Sequence, residues 1–354
     1  MFEMVAFFTS LLLSALITPL VIKLYRDHQW LDDPAIHTHQ KVTHHQSVPR
    51  GGGLPIFFSF LIAALLFLEI DRYLLAIILA ASVLTVVGVL DDLFDLHPRV
   101  RLITGGLASL IVIGSGVGIA YVSNPFGGGV IQLDSIILPI EFLGRTRSIW
   151  LLADVFAFLF IQWNMNIVNW SKGLDGQLPA FVIVAFAFIG LLSDSFAADP
   201  TQFNNAVMSF ILAGSFAGLL LFNWYPQKIM PGYGAGSLAG FFLSILAVLS
   251  GAKLATTLMV LAIPTADAIY TIIRRIASGK SPFWGDRLHL HHLLLDQLGW
   301  GRRRVAIFYA VGSLIMGLLS LHLKTTGKIV ALSICFLLVF LIHGWATIKL
   351  RNKQ

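Results

Sequence analysis

Charge and cysteine are what this chain has least of. Of its 354 residues 12% are Asp, Glu, Lys or Arg and 57% are hydrophobic, giving a mean hydropathy of +0.82. Apolar windows of about 20 residues recur from end to end, which excludes a soluble domain. The single cysteine, Cys335, falls inside the last of these windows. A disulfide framework, a Cys-ligated zinc site and dithiol redox chemistry are thereby excluded. The opening "MFEMVAFFTSLLLSALITPLVIKLY" lacks a basic leader and a small-residue cleavage site, so it reads as a retained first membrane helix and not as a signal peptide. There is no internal repeat, heptad pattern or low-complexity tract.

What is present is a series of hydrophobic runs. The expected fold is an all-α polytopic membrane protein, a single integral membrane domain over 1–354 with spans near 4–24, 53–70, 74–90, 102–122, 148–169, 178–193, 205–225, 236–252, 254–273, 305–322 and 328–348. Eleven spans put the termini on opposite sides. One face then receives the loops at about 25–52, 91–101, 170–177, 226–235 and 274–304 and the tail at 349–354, and with them, counting Lys23 at the end of the first span, 18 of the 24 Lys and Arg residues. By the positive-inside rule that face is cytoplasmic, with the N-terminus outside. This asymmetry accounts for the net charge of +6 without a nucleic-acid partner. On the other face, "SNPFGGGVIQLDSIILPIEFLGRTRS" combines a Gly cluster with alternating apolar residues, the pattern of a turn and a small hairpin or re-entrant piece.

Every notable polar cluster falls on the cytoplasmic loops. Asp91 and Asp92 are adjacent like charges at the end of the third run, and they read either as a solvated helix end or as a hard oxygen site for Mg²⁺ completed by substrate phosphate. Asn166 and Asn169 share a helix face at i, i+3, pointing toward Asp175 in the turn "GLDG"; such amides either hold a neighbouring helix or line a ligand. Gly173 and Gly176 let the backbone approach that ligand. In "WGDRLHLHHLL", Arg287, His289, His291 and His292 supply phosphate donors and imidazoles that can move protons. Together with His37, His39, His44 and His45 these histidines fit no standard zinc spacing. Arg302, Arg303 and Arg304 form a juxtamembrane basic patch for anionic lipid. Asp154 and Asp267 are the carboxylates placed deepest in apolar sequence, and on their own they would suit a small-anion transporter.

Four segments in one order, "HHQSVPRGGGLPIF" at 44–57, "GVLDDLFDLHPRVRLI" at 88–103, "NMNIVNWSKGLDGQ" at 164–177 and "SPFWGDRLHLHHLLLD" at 281–296, resemble the polyprenyl-phosphate N-acetylhexosamine-1-phosphate transferases, glycosyltransferase family 4. The resemblance implies a bacterial inner-membrane enzyme that moves a sugar-1-phosphate from a UDP-sugar to undecaprenyl phosphate and releases UMP. The "DRLHLHH" form resembles the branch using UDP-N-acetylglucosamine. It further implies that Asp91, Asp92, Asp175 and His291 are catalytic, that Asp91, Asp92 and Asp175 hold Mg²⁺, and that one of the Asp91–Asp92 pair acts as base toward the acceptor. Asn166, Asn169 and Asp175 would line the nucleotide pocket, Arg287, His289, His291 and His292 would grip the diphosphate, and Lys41 and Arg50 would add phosphate contacts. A homodimer is compatible with the family. Two departures from its pattern stand out: Lys172 occupies the place of an acidic residue before "GLDG", and "PGYGAGS" puts Tyr233 near the usual metal-binding Asp, with one extra residue. They imply a weaker metal site in which the Lys172 ammonium, as a phosphate-binding cation, compensates, or a degenerate member that binds lipid or nucleotide without transfer.

Overall fold

The computed structural model describes residues 1–354 apart from 35–45, 125–126, 143–144, 251–253, 283 and 352–354. Lys41 and the histidines at 37, 39, 44 and 45 lie outside the described residues. The helices are α1 (Phe2–Asp27), α2 (Gly53–Phe67), α3 (Arg72–Phe94), α4 (Pro98–Gly114), α5 (Leu151–Trp170), α6 (Gln177–Asp194), α7 (Pro200–Asn223), α8 (Gly232–Leu249), α9 (Leu254–Val260), α10 (Ala262–Ala277), α11 (Leu290–Asp296), α12 (Arg302–His322) and α13 (Thr325–Arg351). Short antiparallel pairs join β1 (Leu31–Asp32) to β2 (Val48–Pro49), β3 (Tyr121–Ser123) to β4 (Val130–Gln132) and β5 (Ile137–Phe142) to β6 (Arg145–Trp150).

Local sequence sets the helix ends. The Asp71 carboxylate accepts the Leu74 N–H at 2.7 Å to start α3, and Asp199 accepts the Thr201 N–H at 2.9 Å to start α7, with Pro200 in the first turn. Asp95 closes α3 in the left-handed region, at φ 46°.

Each of the eleven expected hydrophobic runs holds a helical segment, and the protein is an all-α polytopic membrane protein. Among the described residues eight helices are long and apolar enough to cross a bilayer, or nine counting the bent pair α9–α10. At 15 and 17 residues, α2 and α4 fall short of the roughly 20 that span a hydrocarbon core. Two boundaries depart from expectation. The fourth run, expected to reach 122, ends at Gly114, because residues 121–123 pair as β3 with β4. The anticipated hairpin region thus holds two hairpins. The ninth run, expected as one helix, bends by 78° between α9 and α10. Pro264 has no N–H to offer the Val260 carbonyl, and the Ser313 hydroxyl of α12 donates to it instead, at 2.7 Å.

One end of the bundle gathers the loops. There Arg101 of α4 pairs with Asp91 of α3, Lys172 after α5 reaches Gly232 at the start of α8, and Gly176 before α6 donates to Asn223 at the end of α7. Arg302 of α12 lies 3.6 Å from Asp175, and Lys349 of α13 donates to the Gln297 carbonyl at 3.0 Å. Beneath them, α8 is buried along nearly its whole length because Gly234, Ala235, Gly236, Ala239 and Gly240 leave room for the backbones of its neighbours. A Cβ on Gly88 of α3 would stand 2.5 Å from the Gly234 Cα, and one on Gly53 of α2 would stand 2.9 Å from it. These contacts set α3 at the depth that carries Asp92 to the start of α8.

Gly88→Ala is expected to cost about 1–3 kcal/mol by overpacking this crossing and to lower Tm in detergent. A Cβ on Gly114 meets nothing within 4 Å, so Gly114→Ala is the control and leaves Tm unchanged. Equal Tm for the two variants would refute the packing described.

Candidate active site

The acidic pair is held from two sides. Asp91 is buried against the Arg101 guanidinium. Asp92 accepts the Tyr233 N–H at 2.8 Å, a contact made possible by Gly232, whose φ of +65° turns the chain so tightly that a Cβ there would strike the Asp92 carboxylate. Lys172 donates to the Gly232 carbonyl at 2.6 Å, which sets its ammonium beside both carboxylates. The Tyr233 ring lies 5.5 Å from the Arg101 guanidinium and 5.8 Å from the Lys172 ammonium. Burial draws the Lys172 pKa down to about 8, against Asp92 and Asp91, which favour its charge. Arg50 reaches around this group, donating to Asp32 at 2.8 Å and to Asp95 at 3.0 Å, so it ties the β1–β2 pair to the end of α3.

Three residues beyond Lys172, the turn carries Asp175. This carboxylate is buried, accepts the Gln227 N–H at 3.2 Å and faces Arg302. The turn is fastened to the α7–α8 connection by Asn223, which accepts from Gly176 at 3.0 Å and donates to Gln227 Oε1 at 3.0 Å and to the Ile229 carbonyl at 2.9 Å. The Asn169 carboxamide oxygen packs on Gly236 of α8. Asn166, expected to act with it, donates to the Gln162 carbonyl one turn back on its own helix, at 2.8 Å.

The histidine loop closes over the same turn. His291 is buried with its Nε2 against Gly173, so close that any Cβ at 173 would collide with the ring. His289 and His292 are also buried. Burial, reinforced by His292, holds His291 well below the usual imidazole range, and burial with the Arg287 charge pushes His292 down to about 4. Both rings are therefore neutral at physiological pH. Asp286 resists burial, which would raise its pKa, through hydrogen bonds from Arg275 and Arg274 that hold it at about 2. Arg287, expected to grip phosphate, donates to Asp296 at 2.8 and 3.2 Å. The structure thus brings Asp91, Asp92, Lys172, Asp175 and His291 around one turn and gives Asn166, Arg287 and Arg50 protein partners.

Among the described residues no three His, Cys, Asp or Glu side chains are arranged to hold a metal ion. Asp91 faces Arg101, Asp92 faces the Tyr233 amide with Lys172 beside it, and Asp175 faces the Gln227 amide and Arg302. The expected set of Asp91, Asp92 and Asp175 does not fit a shared octahedral metal centre.

The model of glycosyl transferase family 4 matches residues 74–251, the stretch that carries the acidic pair, Lys172, Asp175 and Tyr233. The chain belongs to this family. It is 26% identical over 343 residues to a probable undecaprenyl-phosphate N-acetylglucosaminyl 1-phosphate transferase of Bacillus subtilis, covering 95% of this chain and 88% of that one. It is 29% identical over 313 residues to a decaprenyl-phosphate N-acetylglucosaminephosphotransferase of Mycobacterium leprae, covering 78% and 74%. A phospho-N-acetylmuramoyl-pentapeptide-transferase of Bacillus pumilus is 26% identical over 340 residues, covering 92% and 99%.

Sequence reasoning missed Arg101, Asn223, Gln227 and His343, because each acts through a partner on another helix or loop. Asp267 was legible only as a deep carboxylate; its partners are His289, the Leu290 N–H and His343.

The buried neutral imidazoles make stability depend on pH. The folded state resists a proton that the unfolded chain takes up below the ordinary value of 6.5, so stability falls as pH drops from 6.5 toward 4. For His292 alone this amounts to about 3 kcal/mol by pH 4. Tm in detergent is expected to fall over that interval, with a shallower slope in His292→Gln. An unchanged slope in the variant would remove His292 from the account.

Proposed function

We propose that the protein transfers N-acetylglucosamine-1-phosphate from UDP-N-acetylglucosamine to undecaprenyl phosphate at the cytoplasmic face of a bacterial inner membrane, starting cell-wall or surface-polysaccharide assembly. The observation that carries this reading is the turn at 172–176, whose Lys172 lies beside the acidic pair and whose Gly173 carries His291. An oxygen of the lipid phosphate attacks the sugar-bearing phosphorus of the nucleotide. A new phosphoanhydride bond forms there, the bond from that phosphorus to the bridging oxygen breaks, and UMP leaves with the bridging oxygen. Such a reaction asks mainly for positioning and charge neutralisation.

Asp92 takes the proton from a monoanionic lipid phosphate. Asp91 is paired with the Arg101 guanidinium, which offsets its charge. Lys172 supplies positive charge to the diphosphate as a point cation, without the template geometry of a metal. Asp175 and Asn169 orient the nucleotide. His291 and His292, being neutral, donate hydrogen bonds to phosphate oxygens. A small-anion pathway has less support, since Asp154 accepts the Trp150 N–H at the start of α5 and Asp267 is engaged by two imidazoles.

Purified protein with undecaprenyl phosphate and a panel of UDP-sugars is expected to release UMP from UDP-N-acetylglucosamine only when the lipid is present. Asp92→Asn, Asp175→Asn and His291→Ala should each slow turnover by more than about tenfold, or roughly 1.4 kcal/mol of barrier. Full activity in all three would remove the site assignment. Nucleotide binding without turnover under any condition would point instead to a non-catalytic binder.

Orientation is tested in intact cells after replacing Cys335. An impermeant thiol reagent is expected to label Ser123→Cys and to spare Lys280→Cys in the loop before α11. The reverse pattern would overturn the assignment of the cytoplasmic face.

A further inference from the structure

Asp267 is placed deep in apolar sequence, and the reaction as drawn makes no use of it. It is only 1% exposed, yet three N–H groups from two other parts of the chain converge on its carboxylate. His289 Nδ1 donates to Oδ2 at 3.1 Å, and the Leu290 N–H and His343 Nε2 donate to Oδ1 at 2.8 and 3.0 Å. The Leu290 N–H belongs to the first turn of α11, so the carboxylate of another helix supplies an acceptor that α11 lacks in its own sequence. His343 comes from α13, 76 residues away, and its ring stacks on Tyr270 of α10 at 4.3 Å between centroids.

This arrangement fixes a tautomer. With Nδ1–H given to Asp267, His289 presents a bare Nε2, and the Arg275 guanidinium stands 3.3 Å from it as a donor. Arg275 is itself held by Asp286, at 3.1 Å. His289 is therefore occupied on both nitrogens by protein and has none left for substrate. Its plane lies 6° from that of His291, with 5.7 Å between the ring centroids. His291 is the ring that meets Gly173.

We propose that Asp267 and His343 are positioning residues for His291, together clamping the start of α11 so that the His291 imidazole is set against the 172–176 turn; the kinetic part of this inference rests on the transferase reading above. Asp267 supplies both the helix-start acceptor and the partner that selects the His289 tautomer. His343 locks the carboxylate from the far side and makes the last helix part of the active-site scaffold.

The chemistry of an amide separates this from simple filling of space. Asp267→Asn keeps the shape but has only one oxygen for donors on two sides. If that oxygen serves Leu290 and His343, the amide NH₂ faces His289, which must move its proton to Nε2 and point it at Arg275. If the oxygen serves His289, the NH₂ faces two N–H donors. Either way one donor meets another. His343→Gln retains an N–H that can reach Asp267, whereas His343→Ala does not.

The test measures UMP release from UDP-N-acetylglucosamine and undecaprenyl phosphate alongside carbethoxylation of His291 by diethyl pyrocarbonate, read by mass spectrometry. Asp267→Asn and His343→Ala are expected to lower kcat by about tenfold or more while the KM for UDP-N-acetylglucosamine stays within about twofold, and His343→Gln to keep kcat within about threefold of wild type. His291 should be protected in wild type and His343→Gln and modified in the other two. The labelling needs no turnover, so wild-type protein that releases no UMP defeats the reaction assigned above while the clamp is still decided by the modification pattern. Wild-type kcat and a protected His291 in Asp267→Asn would overturn the proposal, and so would equal loss in His343→Gln and His343→Ala. Should Asp267→Asn fail to yield a monodisperse preparation, the His343 pair decides alone.

Discussion

The contact between the Lys172 ammonium and the Gly232 carbonyl is the joint on which the site depends. It fastens the turn after α5 to the start of α8, at the point where Gly232 and Tyr233 meet Asp92. A buried ammonium is tolerated only beside negative charge, and a buried carboxylate pair only beside positive charge. Lys172, Arg101, Asp91 and Asp92 satisfy both conditions at once. Removing one member leaves buried Asp91 or its half-buried neighbours Asp92, Arg101 and Lys172 without compensating charge, so the group behaves as a unit. The same lysine leads directly into Gly173 and Asp175, and the histidine loop is docked on that turn. A single stretch of five residues thereby relates the acidic pair to the imidazoles.

Joints of this kind require helix ends at matched depth, and small residues set the depth. Gly53, Gly88 and Gly234 bring α2, α3 and α8 into backbone contact, while Gly236 and Gly240 do the same for α5 and α8. In a bilayer the hydrophobic effect does not choose between helix neighbours, so close backbone approach and hydrogen bonds do. On the other side of the bundle, the Ser10 hydroxyl donates to the Ile211 carbonyl at 2.6 Å and lies 2.7 Å from the Ser215 hydroxyl, where Gly214 and Gly218 admit α1 against α7.

Hydropathy made the helical segments legible, and their alternation made legible which loops share a face. The motifs Asp91–Asp92, "GLDG" and "HLHH" identified the parts that the fold brings around one turn. What the sequence could not show was pairing. Arg287 reads as a phosphate grip until Asp296, nine residues on, is found beside it. Asn166 looks like the companion of Asn169 at i, i+3, but its amide donates back to Gln162. The break at Leu261 is foreshadowed by Pro264, yet what lets the ninth run bend there is Ser313, on a helix that begins 38 residues later, at Arg302. Asp267 announces its importance by its cost in apolar sequence, while His343, which meets it, lies in a run that scores simply as a membrane helix. Hydropathy measures the cost of burying each residue and carries no information about the partner that offsets it.

The charge pattern bears on how a diphosphate would enter. Nearly every cation near the turn already has a carboxylate: Arg101 has Asp91, Arg302 has Asp175, Arg274 and Arg275 share Asp286, and Arg50 holds Asp32 and Asp95. The imidazoles of His291 and His292 are neutral and add hydrogen bonds without net charge. An entering anion therefore gains positive charge chiefly by exchanging partners, taking a cation from a carboxylate or sharing one with it. The Arg302–Asp175 pair is the loosest of these, at 3.6 Å, and it stands where the histidine loop meets the turn. The tight Asp286 pairings brace the loop. The close pairs at Asp91 and Asp286 therefore belong to the scaffold that holds the turn and the histidine loop together.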